Sequence, residues 1–466
     1  MRKSILVLLA LVVSVAVVFP PPPLVASKQP VSLVGFETSN DNGSYVIADV
    51  PYVSQETDFY CQFACPTMIF KYYGINTSLH EVLYNSGVGY GMVYSPPYLK
   101  RFPVGCIGSC KWYADRSFLA TLYGFSYEND RVDDNLPEKE RWHEYWERVK
   151  QNLTDNIPII TNADPAMLVS MRNSIRKALH ISEGVWTGLT DHLWEAAPSG
   201  ILHAILLVGF NETNGTVCFH DPAAALWGHP ETGTYTWMNL TKFRKAIWRV
   251  SLYNPYQAYS IELFTDTLES PLDTTTMFER VYARNIQKIK GDLSVYDEHV
   301  VYDWGCSQLG INAVKEVKND MGYGIQHRVL TTALYRFICI SRLYSLGYKL
   351  CRFVNITFPS VFNFSESQNI INDFDLIAIE KQNMSQYLNT LQYLVNDTNI
   401  SAICKRDAML LTSEAENWTK LGSYFSRFLR SGVAMTLPYG ILIIRNMERV
   451  LTDIISLEEE IISRST

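Results

Sequence analysis

Charge is scarce in this chain: of 466 residues only 19% are Asp, Glu, Lys or Arg, and the net charge is −7. No basic stripe with interleaved aromatics occurs, so the phosphate-neutralising contacts that dominate nucleic-acid binding have no source, and no nucleic-acid partner is expected. An HExxH pair and any Cys-x-x-Cys spacing are also missing. Those absences remove the common zinc signatures, leave His180, His192 and His229 without ligand spacing, and predict that neither metal nor cofactor is needed. There is no internal repeat and no low-complexity tract. Beyond the N-terminus, the apolar stretch Val433 to Ile444 is broken by Pro438 and Gly440 and falls short of the roughly 18 residues a membrane span requires, so it reads as core.

What is present points to an ordered, exported protein. Hydrophobic residues make up 47% of the chain, and the length suits roughly two or three domains. Met1, Arg2 and Lys3 precede an apolar run from Ile5 to Phe19, four prolines (Pro20 to Pro23) and the small residues Val25-Ala26-Ser27. Residues 1–27 therefore read as a signal peptide or an uncleaved N-terminal anchor, with 28–45 as linker and an extracellular or cell-surface location; the anchor reading would bring membrane association through this segment. A dozen Asn-x-Ser/Thr triplets, among them Asn76, Asn152, Asn239, Asn355, Asn383 and Asn417, suit a glycosylated exterior. The cysteine count of nine suits an oxidising compartment with disulfides and, being odd, leaves at least one thiol unpaired within the chain.

Residues 46–268 alternate short β-branched or aromatic runs with turns and a few helical stretches, the pattern of an α+β domain. Strands are expected at 157–161, 203–210, 216–220 and 258–263, forming one antiparallel sheet, with Asn211 to Gly215 closing a hairpin. Residues 61–73 read as a helix: Met68, Ile69, Tyr72 and Tyr73 fall at helical spacing and Gly74 stands at the C-terminal cap. Between the first two strands, 165–198 looks like a helical insertion. From Pro271 the periodicity lengthens, with helices expected at 275–290, 326–348 and 373–396, so 272–466 reads as a mostly α-helical domain.

Chemistry concentrates around Cys61, which heads the first helix six residues after Gln55. A free thiol titrates near about 8.5, and a helix N-terminus together with an imidazolium neighbour can bring that down to roughly 3–4. The helix end alone contributes about 0.3–1 kcal/mol, so a histidine must complete the activation. His203 fits, opening the apolar strand His203 to Gly209, while the hairpin return delivers Asp221-Pro222 eighteen residues later. Near the open ends of such a ribbon the two side chains can meet, the carboxylate orienting the ring. Gln55 would donate its amide to an oxyanion beside the Cys61 N–H. Cys65 is the rival thiol, because Pro66 suits the first position of a helix starting one turn later. With Cys61 as nucleophile, Cys65 reads as half of a disulfide with Cys106 or Cys110.

The Val50-Pro51-Tyr52-Val53-Ser54-Gln55 opening, Cys61 thirteen residues before Gly74, Met68 between them, and the later His203 strand with Asp221-Pro222 closely resemble the bacteriocin-processing branch of the papain-like cysteine peptidases, over roughly 48–251. The resemblance implies a papain-like fold, with the cysteine on an N-terminal helix and the histidine and aspartate on an antiparallel sheet. It implies catalytic roles for Gln55, Cys61, His203 and Asp221. Gln62-Phe63 stands where that branch usually has Gly-Pro, which bears on substrate choice more than on chemistry. The expected activity is hydrolysis of a peptide or amide bond through a Cys61 thioester. Alternatives are an acyltransferase that uses the same acyl-enzyme, as in the butirosin-biosynthesis type, and a non-catalytic surface binding protein.

Overall fold

The computed structural model describes residues 43–57, 59–95, 106–109, 115–171, 202–252, 254, 257–266, 271–296, 308–326, 373–430 and 437–465. The expected leader, nearly all of the linker, most of the 165–198 insertion and nearly all of the helix expected at 326–348 lie outside these. The described residues form one compact unit.

In chain order the elements are β1 (Ser44–Val46), α1 (Cys61–Tyr72), α2 (Leu79–Asn85), β2 (Met92–Ser95), β3 (Cys106–Ser109), α3 (Arg116–Tyr123), β4 (Phe125–Arg131), α4 (Glu138–Thr154) and β5 (Ile159–Ala163). A short 3-10 turn, Pro165–Met167, follows β5. Next come β6 (His203–Asn211), β7 (Thr216–His220), β8 (Thr236–Asn239), α5 (Leu240–Ser251), β9 (Ser260–Asp266), α6 (Thr274–Lys290), β10 (Gln308–Leu309), α7 (Ile311–Gln326), α8 (Asp373–Leu394), α9 (Thr398–Arg430) and α10 (Leu437–Ser463). One antiparallel sheet runs in the order β4-β9-β5-β6-β7-β8, with β1 added to β6. The expected strands all belong to it, two of them displaced by about two residues. β4, which is polar along most of its length, gave no alternation to read, yet it pairs with β9 over seven residues.

α1 carries the nucleophile candidate and is buried almost throughout, nine of its twelve residues being shielded. It ends where expected: Tyr73 caps it and Gly74 takes φ +85°, while the Ile75 N–H returns to the Phe70 carbonyl at 2.9 Å. That is the left-handed exit that glycine permits at least cost. The helix packs on β6, and α4 and α5 pack on the same sheet.

Side chains beyond Pro271 join this core. Met384 and Leu388 of α8 and Cys404 and Leu411 of α9 lie in the same apolar cluster as Phe63, Met68 and Leu83, and the Tyr387 ring packs tilted against Tyr84, centroids 5.1 Å apart. A second cluster unites Met92, Tyr94 and Ile107 with Val314, Phe374, Trp418 and Leu451. It lies by the small sheet β10-β2-β3. Helices of 272–466 thus complete the apolar packing begun by 46–268.

Of the glycosylation triplets, Asn76 and Asn239 are exposed, whereas Asn152, Asn383 and Asn417 stand inside α4, α8 and α9. Ser385, the hydroxyl of the Asn383 triplet, is buried and donates to the Ala408 carbonyl at 2.8 Å. No helix among the described residues is long and apolar enough to cross a membrane.

Candidate active site

Cys61 is the first residue of α1, and no side chain caps the helix at Tyr60. The positive end of the helix dipole acts on the sulfur. Cys65 lies a turn further in, so a helix beginning one turn later does not occur. Nor is Cys65 half of a disulfide. It is a free, fully buried thiol turned toward β6, where it donates to the Ala204 carbonyl at 3.6 Å. Burial pushes its pKa well up. Cys61, Cys218 and Cys404 are free as well.

His203 opens β6 and meets Asp221 just past the end of β7, with Nε2 at 2.8 Å from Oδ1. A register change brings them to one face. Near the turn Gly209 opposes Cys218, but beyond it Leu207 opposes Phe219 and Leu206 opposes His220. Extended one residue, that register sets Asp221 opposite Ile205, two positions from His203 on the same side of the strand. Without the shift Asp221 would oppose Leu206 and point to the other face. His220 is buried against Tyr52 and Tyr235 and accepts the Tyr235 N–H at 3.4 Å; burial lowers its pKa to about 4.

The Asp221 carboxylate is itself held from several directions. Oδ1 also accepts the Ala223 N–H at 3.0 Å, and Oδ2 accepts the Ser170 hydroxyl. Its backbone is pinned by the Gly233 carbonyl at 2.8 Å and the Tyr52 hydroxyl at 3.0 Å. Trp227 covers the imidazole, ring centroids 5.1 Å apart.

Cys61 and His203 are near enough for each to shift the other's proton affinity. With Nε2 engaged by Asp221, Nδ1 is the ring nitrogen left for the sulfur. Burial alone would raise the Cys61 pKa, yet the His203 charge, the Ala204 backbone and Arg116 bring it below the ordinary thiol value. For His203, burial lowers and the Asp221 and Cys61 charges raise more, to about 10. The thiol thus loses its proton more readily than an ordinary cysteine while the imidazolium keeps its own to about 10, so the ion pair that forms sets a nucleophile beside a proton donor.

Gln55 is buried beside this group, its backbone N–H bonded to the Pro222 carbonyl at 2.8 Å. Its Nε2 donates to the Thr57 carbonyl at 3.2 Å, while its buried Oε1 has no hydrogen-bond partner among the described residues. All four residues singled out in the sequence are thus buried in this part of the molecule. Arg116, Trp227 and Ser170 were not anticipated. A lone arginine at a helix start, a tryptophan in a turn and a serine in an insertion carry no spacing signal.

Residues 47–254 match the model of the Peptidase_C39 like family, consistent with a member of the papain-like cysteine peptidase superfamily. That family suggests a cysteine peptidase. No curated protein matches the chain.

Proposed function

We propose that this protein is an exported cysteine peptidase or amidohydrolase in which Cys61 attacks the carbonyl carbon of a peptide or amide bond. Support comes above all from one observation: Asp221 holds at 2.8 Å the imidazole whose charge acts on the sulfur at the head of α1. In the reaction, the thiolate forms a C–S bond and the carbonyl oxygen takes the negative charge, with Gln55 and the Cys61 N–H as its donors. As the oxyanion collapses, the C–N bond breaks and His203 passes its proton to the leaving amine. Water then attacks the thioester and gives a proton to His203. The C–S bond breaks, the acid leaves, and thiolate and imidazolium are restored.

Export is supported by Arg2, Lys3, the apolar run to Phe19 and the small residues after the prolines. N-terminal sequencing of protein from the medium and protease treatment of whole cells test it: a start just after the small residues, or an intact Met1 on protein that the protease reaches, supports export, and protein found only inside the cell and shielded from the protease opposes it.

The test of the chemistry is turnover of a peptide or amide library by wild type and Cys61→Ala. Loss of all turnover with a trapped wild-type acyl-enzyme is the expected result. Turnover that persists without the thiol overturns the proposal, and an acyl-enzyme discharged only by amines would make the protein an acyltransferase.

A further inference from the structure

Ser170 is buried to 1% exposure and its hydroxyl hydrogen-bonds to Oδ2 of Asp221, the oxygen that does not face His203. We infer that Ser170 is a positioning residue: it locks the Asp221 carboxylate so that Oδ1 stays aimed at the imidazole. The inference rests on the peptidase reading above and deepens it.

Two independent features make the contact more than incidental. First, the carboxylate is 1% exposed and, among the described residues, its other donors, His203 and Ala223, both bond Oδ1, so Ser170 is the donor that satisfies Oδ2. A buried carboxylate oxygen left without a donor carries a desolvation penalty, and the group would turn about its Cβ–Cγ bond to share one donor between two oxygens. That turn moves the acceptor away from Nε2. Second, the chain that delivers Ser170 is itself rigidly seated. Asp164 caps the 3-10 turn through Ala166 at 3.0 Å, its backbone N–H bonds the Ala246 carbonyl of α5 at 3.1 Å, and its carboxylate lies 3.7 Å from the buried Arg249. Pro165, Ala166, Met167, Leu168 and Met171 are all buried. The segment leaving β5 is thus fastened to α5 at one end and to the Asp221 carboxylate at the other.

Among the described residues the Ser170 hydroxyl bonds Asp221 and neither the sulfur nor the imidazole, so its effect is expected to pass through Asp221. The experiment follows the second-order rate of Cys61 alkylation by iodoacetamide from pH 4 to 10, in wild type, Ser170→Ala, Ser170→Thr, Asp221→Ala and the Ser170→Ala/Asp221→Ala double variant, with a melting curve for each. Expected are an about tenfold slower alkylation at pH 6 in Ser170→Ala with a displaced acid limb, recovery toward wild type in Ser170→Thr, and no additional loss when Ser170→Ala is placed on Asp221→Ala. An unchanged profile in Ser170→Ala overturns the inference, as does a loss of the same size in the Asp221→Ala background. Either result, with wild-type Cys61 still fast, leaves the peptidase reading intact. A wild-type Cys61 no faster than a free thiol defeats that reading, and the positioning role falls with it. Should Ser170→Ala melt too low to assay, the Ser170→Thr profile decides: a shifted limb at wild-type stability opposes the role, a retained one supports it.

Discussion

The 2.8 Å separation of His203 Nε2 and Asp221 Oδ1 is tied to Gly209, six residues along β6, where the register of the β6–β7 pair shifts. A Cβ at Gly209 would stand 2.6 Å from the Tyr45 carbonyl oxygen and 2.9 Å from Val46 Cγ2, because β1 pairs with β6 there. The glycine lets β1 close on the strand at the bulge that turns Asp221 to the face of His203.

Gly209→Ala is therefore expected to cost about 1–3 kcal/mol through overpacking against backbone. A melting curve should show a fall of several degrees, and Cys61 alkylation should slow in parallel. Wild-type stability with wild-type alkylation would separate the bulge from the site.

The pH dependence of Cys61 reactivity follows from the pair. Alkylation should set in at a pH below that of an ordinary cysteine, since the thiol is shifted down, and turnover should fall as pH passes about 10 and His203 loses its proton. The sign for stability is the same. A histidine raised from 6.5 to about 10 contributes stability that is fully present below pH 6.5 and lost as pH rises through about 10. In His203→Ala, burial acts on the thiol without its main counter-charge, so labelling at pH 7 should drop at least about tenfold. Equal labelling in the two proteins would show that the imidazole does not activate the sulfur.

Gln55→Ala should lower kcat by about a hundred- to a thousand-fold while KM changes little, the signature of a donor used at the oxyanion and not in ground-state binding. A change confined to KM would assign Gln55 to substrate binding instead.

In the helices beyond Pro271, Glu458 of α10 is fully buried with Glu414 and Lys381, the latter 2.6 Å from Glu414 and 3.5 Å from Glu458. Burial and the Glu414 charge outweigh Lys381 and raise the Glu458 pKa to about 8. The folded protein thus holds a proton that the unfolded chain releases above about 4.5, and stability declines as pH rises from that value to about 8. Glu458→Gln keeps the neutral form's shape, so it should raise Tm by a few degrees at pH 8 and flatten the dependence between pH 5 and 8. A lower Tm at pH 8 would mean that the ionised form is the native one.

The order of strands 203–210 and 216–220, the helix from Cys61 to its glycine exit, and the elements that carry the candidates Cys61 and His203 were legible because alternation, helical spacing and cap residues are local properties of a chain. β4 was not, since its polar residues are held by pairing with β9 and not by an alternating apolar face. The free state of Cys65 was also hidden. A cysteine's partner depends on which way its helix turns it, and α1 turns this one inward onto Ala204.

By itself, then, the sequence determined which residue types could do nucleophilic chemistry and which elements would carry them. Tertiary structure alone decided that Asp221 faces His203, through a one-residue register shift, and that Ser170, fifty-one positions away in the chain, holds the other carboxylate oxygen. It also decided that α8 and α9 share a core with α1. Each of these depends on packing between distant segments, where a single residue of slip or a single buried contact changes which groups meet, and no local pattern records that choice.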